Sequence, residues 1–171
     1  MVNACFEKEQ YVVYGKMGVC RVVDRQRLSF GGAEKTEYYI LAPLRDERSS
    51  VYVPCDNEML MARLRPLLTR DEIDSILSSV SDEAVAWIED RGERATRFRA
   101  IVSKGDRRQI VRLVRCLYEK KQERLQNGKN LSAADEATLQ DCVRLVEEEF
   151  VLALGITPAE VSDYIRERMG E

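Results

Sequence analysis

Few residues in this chain could do chemistry, and the most telling residue type is missing. Histidine is absent from all 171 residues, which removes the commonest general base and the commonest metal ligand together. A serine or cysteine nucleophile would therefore lack its usual imidazole partner. The five cysteines (Cys5, Cys20, Cys55, Cys116 and Cys142) are scattered and include no Cys-x-x-Cys pair. That spacing suits neither a zinc site nor a disulfide framework, and reads as small hydrophobes in a reducing compartment. No glycine-rich phosphate loop is present. Glu147, Glu148 and Glu149 are consecutive on a predicted helix and so point in different directions, which reads as a solvated face rather than a pair of working carboxylates. The expectation is a protein that is not an enzyme and holds no metal or cofactor.

What remains is Trp87, the only tryptophan, at the head of the one basic segment. From Trp87 to Lys129 there are 13 Lys/Arg against 6 Asp/Glu; before it the count is 11 against 14, and from Asn130 onward 3 against 10. A net charge of −3 thus conceals a basic middle, the asymmetry expected of a chain with a polyanionic partner. A lone tryptophan is more often core than a reader of ligands, and an arginine run is often an ordinary helix surface. The two together suit one mode of DNA binding, in which cations neutralise phosphates while a flat side chain wedges at a base step. The candidates are Trp87, Arg91, Arg94 and Arg97.

The elements that must position these residues divide the chain in two. Residues 11–54 read as short strands: Tyr11 to Tyr14 stops at Gly15, and Gly18 to Val23 is rich in β-branched residues. Gly31-Gly32 supplies a hairpin turn, Tyr38 to Leu41 returns from it, and Val51 to Val53 stops at Pro54. Four or five strands in this length suit a small, strongly bent antiparallel barrel, closed by a helical turn near Met59. From Thr69 the period becomes helical. Thr69 to Glu72 is a capping box, Ser81 starts a helix carrying Val85 and Ile88, and Gly92 breaks it. A helix from Glu93 to Lys104 turns Phe98, Ile101 and Val102 inward and its arginines elsewhere. Gly105-Asp106 ends it and caps the next. Two long amphipathic helices follow, joined by a short loop at Asn127 that makes them antiparallel neighbours. Thr157 to Glu160 caps a last one. No apolar run reaches the roughly 20 residues needed to cross a bilayer, and the first residues lack a basic stretch leading into an apolar one. The expected protein is soluble, cytoplasmic and α+β, with domains at 1–66 and 67–171.

In this order and at these separations the residues resemble the CarD/CdnL family of bacterial transcription regulators. The likeness rests on Gly18-Val19, Gly31-Gly32, Glu37 to Leu41, Val51 to Pro54 and Leu64-Arg65-Pro66 in the first part. In the second it rests on Trp87, Ser103 to Asp106, Leu131 to Glu136 and Glu148-Glu149-Phe150. The resemblance implies a Tudor-like domain that binds the RNA polymerase β subunit by extending a sheet, with Arg27, Val51, Tyr52, Val53 and Pro54 at the contact. It also implies a helical domain that meets promoter DNA at the upstream edge of the bubble. There the tryptophan matching Trp87 wedges at the fork and stabilises the open complex. The partners implied are polymerase and promoter DNA, with the protein monomeric and no membrane involved. The alternative is a polymerase-tethered adaptor whose helices bind another protein.

Overall fold

A computed structural model describes residues 5–169 of the chain, which divide between Leu67 and Leu68 into two compact units. The first is a five-stranded antiparallel sheet in the order β4-β3-β2-β1-β5, made of β1 (Tyr11–Tyr14), β2 (Val19–Leu28), β3 (Thr36–Pro43), β4 (Val51–Pro54) and β5 (Leu64–Pro66). Alternation sorts the side chains: Tyr39, Leu41 and Val53 face the core, while Tyr38, Ile40 and Tyr52 face away from it. The register slips between Val22 and Asp24, a bulge that bends the longest strand. Gly31 and Gly32 take φ of 63° and 77° in the turn between β2 and β3, conformations that a side chain disfavours. The segment ahead of β1 closes the core. Phe6 is buried with its ring edge-on to Tyr39, 5.8 Å between centroids, and its backbone N–H donates to the Tyr39 hydroxyl at 3.1 Å. A single helical turn, α1 (Glu58–Met61), is capped by Asn57.

The second unit is helical: α2 (Arg70–Ser78), α3 (Arg91–Lys104), α4 (Arg107–Gln126), α5 (Ala133–Leu154) and α6 (Pro158–Met169). Each start has a local cause. The Thr69–Glu72 capping box opens α2, Asp90 caps α3, Asp106 caps α4 and Ser132 caps α5. Gly105 ends α3 in the left-handed region at φ 75°. The core is an apolar cluster centred on Ile73, Phe98, Ile110, Leu113, Leu117, Leu145 and Phe150. The final helix joins it through Val161, while Tyr164 and Arg168 both reach Asp74 of α2. No helix among the described residues is long and apolar enough to cross a membrane.

Three expectations are corrected. Residues 79–90 form turns, bends and irregular chain, so the helix expected from Ser81 does not exist. Asp90 must be extended (φ −66°, ψ 122°) to cap α3, and the carbonyls of Ile88 and Glu89 are taken by the Arg94 side chain. Tertiary contacts outweigh local helix propensity here. Gly92 does not break a helix but lies in the first turn of α3. A Cβ there would stand 3.3 Å from the capping Asp90 carboxylate, so glycine leaves the cap room. The Glu147–Glu149 cluster is not all solvated: Glu149 is fully buried and bound to the buried Arg107.

Candidate functional site

In the first unit the site is the edge strand β4. Cys55 donates its N–H to the Glu37 carbonyl at 2.8 Å, and antiparallel ladders alternate. Residues 51 and 53 therefore also point their backbone groups at β3. The N–H and C=O of Tyr52 point the other way, off the edge. The Tyr52 ring is 44% exposed and meets Phe30 edge-on at 5.4 Å; Phe30, itself 51% exposed, meets Tyr38 at 5.2 Å. Three aromatic rings thus stand on the outer face beside a free backbone edge. Phe30 was not singled out from the sequence, although a large apolar residue directly before a Gly-Gly turn is the signal that could have found it.

The other candidates of this unit are not all at that edge. Val51 and Pro54 are partly buried, and Val53 is wholly in the core. Arg27 is exposed but lies on β2, with β3 between it and the edge. It stands in register with Glu37, on the face of Tyr39 opposite to that of Tyr52.

In the second unit the site is the strap 79–90, with Trp87 near its end. Three arginines of the basic segment hold it. Arg108 donates to the Ser79 hydroxyl at 2.7 Å, Arg112 pairs with Glu83 at 2.8 Å, and Arg94 donates to the carbonyls of Ile88 and Glu89 at 2.8 and 3.1 Å. Trp87 is partly buried against the helical core and edge-on to Phe98, with centroids 6.2 Å apart. Cations surround the indole: Arg94 at 4.3 Å from the ring centroid, Lys120 at 5.3 Å and Arg124 at 5.9 Å. An open cleft of about 290 Å³ runs beside it, lined by Val80, Val85, Cys116 and Lys120 among others. The sequence missed Lys120 and Arg124, which lie more than thirty positions away; their i, i+4 spacing places both on one face of α4.

Arg94 is not the exposed cation expected. It is 3% exposed, and its guanidinium grips Asp135 in a two-pronged pair at 3.0 and 2.9 Å. Burial would raise the Asp135 carboxyl, but hydrogen bonds from Arg94 and Ser132 outweigh it and hold the group below its ordinary value. Arg91 and Arg97 are exposed and have no carboxylate partner among the described residues. Three of the 13 cations of the basic middle pair with acids of the last third: Arg94 with Asp135, Arg107 with Glu149 and Lys121 with Glu136. As a whole, residues 68–171 carry 17 Lys/Arg against 21 Asp/Glu. Among the described residues no group of three or more Cys, Asp or Glu is placed to hold a metal ion.

No curated protein matches the chain in a sequence search. A family model does match residues 6–67, that of the CarD-like/TRCF RID domain. The match covers the whole five-stranded sheet and stops where the helical unit begins. The first unit is thus similar to the domain by which CarD-like proteins and TRCF engage RNA polymerase, which makes this a transcription-related protein with RNA polymerase as its partner.

Proposed function

We propose that the protein is a bacterial transcription regulator of the CarD/CdnL type, acting as a monomer in the cytoplasm without catalysing a reaction or using a cofactor. A strand of the polymerase β subunit adds to β4, where Tyr52 offers a free N–H and C=O and the Phe30–Tyr52 rings offer apolar contact. The helical unit then meets promoter DNA at the upstream edge of the bubble, where Trp87 stacks at the fork and slows its collapse. Lys120, Arg124, Arg91 and Arg97 supply the phosphate contacts; Arg94 does not.

The observation that carries the DNA half is the placing of Trp87. It is partly exposed, on a strap rather than in a helix, with cations of α4 beside it. The test is the lifetime of the open complex on a bacterial promoter with purified polymerase. The protein should lengthen it, and both Trp87→Ala and the double variant Lys120→Gln, Arg124→Gln should return it toward the value without the protein. An unchanged lifetime with the wild-type protein sinks the reading.

A second reading keeps the polymerase contact and gives the helices a protein partner. The net acidity of residues 68–171 favours it. It predicts a complex with polymerase in which a photo-crosslinker at Trp87 labels protein and never DNA.

A further inference from the structure

Trp87 stands outside every helix, so no backbone ladder sets the direction of its ring. Something else must, and the contacts of one side chain converge on the task. Four of the five N–H groups of the Arg94 guanidinium are engaged: Nε and Nη2 donate to the two oxygens of Asp135, and Nη1 donates to the carbonyls of Ile88 and Glu89. Those carbonyls belong to the two residues that follow Trp87. The same guanidinium lies 4.3 Å from the centre of the indole.

We propose that Arg94 is the positioning residue for Trp87. Anchored by Asp135 in the first turn of α5, it fixes the backbone after the tryptophan and supports the ring, so that the indole is held ready before any partner arrives. The functional half of this inference rests on the reading of Trp87 as the group that meets DNA; the structural half does not. Arginine is needed because its planar fork serves a carboxylate and two carbonyls at once, which the single ammonium of lysine does not. The anchor is secure, since Asp135 is buried and its carboxyl is held in the charged form by Arg94 and Ser132. The other strap contacts lie farther from Trp87 along the chain: Arg108 holds Ser79, and Arg112 holds Glu83, whose side chain is 75% exposed.

Trp87 is the only tryptophan, so the intrinsic fluorescence of the full-length protein reports on this one ring. The variants are Arg94→Lys, Asp135→Asn and Glu83→Gln, each checked for folding by circular dichroism. Arg94→Lys and Asp135→Asn should shift emission to longer wavelength and raise acrylamide quenching about twofold as the ring loses its guanidinium support. Glu83→Gln should match the wild type. Open-complex lifetime should fall in step with the fluorescence change. Native emission in both Arg94→Lys and Asp135→Asn overturns the inference, as does an equal shift in Glu83→Gln, which would mean that the strap as a whole sets the ring. If Arg94→Lys does not fold, Asp135→Asn carries the measurement. A fluorescence change with an unaltered lifetime leaves Arg94 as the positioning residue and removes the DNA role of Trp87.

Discussion

Arg107 and Glu149 meet at 2.6 Å in an otherwise apolar core, and both are essentially without solvent. Glu149 also accepts a hydrogen bond from the N–H of Leu68 at 3.0 Å, tying α5 to the start of the helical unit. Removing one member of such a pair strands the other charge in the interior, so Glu149→Ala should destabilise the helical unit by about 3–5 kcal/mol in denaturant unfolding. A loss below about 1 kcal/mol would place the pair with solvent-screened surface bridges and contradict its burial. Asp135 makes a related prediction in pH. Its folded value lies below the ordinary carboxylate range, so its contribution is complete above about pH 4 and is lost as pH falls through the lower, folded value. Unfolding measured from pH 7 down to about pH 2 should show a steeper acid loss in the wild type than in Asp135→Asn. Burial raises the Cys142 thiol to about 12, so alkylating reagent at neutral pH should spare it and label the exposed Cys5 first. None of these placements could be read from the sequence. Arg94 and Glu149 look like their exposed neighbours, and what buries each is a partner some forty positions away.

At the scale of elements, local rules carried further. Strands bounded by Gly15, Gly31-Gly32 and Pro54, and helices opened by Thr69, Asp106, Ser132 and Thr157, are all where turn and capping chemistry puts them. The strap is the exception. Ser81, Asp82 and Glu83 resemble a helix start, yet the segment is held in irregular chain by side chains of α3 and α4 that no local pattern reveals. The β4 edge was legible as a strand, but its outward aromatic cluster depends on Phe30 folding back across the turn. This geometry makes a sharp prediction. Tyr52→Pro deletes an N–H that serves no bond within the sheet, so the domain should keep its fold while losing polymerase. Tyr52→Thr keeps the N–H, removes the ring, and should retain part of the binding. Equal binding of polymerase by Tyr52→Pro and wild type would exclude strand addition at β4.

Across the whole molecule, the charge asymmetry that marks the sequence is in part an internal matter. Three cations of the middle segment bind acids of the last third; Lys120, which also pairs with Glu123, and Arg124 lie beside Trp87, and Arg91 and Arg97 are exposed, which gives four candidates for phosphate contact. Affinity for DNA alone should therefore be weak, and log affinity should fall against log salt with a slope no steeper than about −4 for that many contacts. A slope near −10 would mean that the internal pairs open on binding. The two strands that bound the sheet bear on a different property. They are four and three residues long, and each ends in proline, Pro54 and Pro66. A second copy of the chain finds too short a row of backbone donors to zip onto, whereas a single partner strand backed by the Phe30–Tyr52 rings has enough. The same brevity should protect a concentrated solution of the protein from fibril growth.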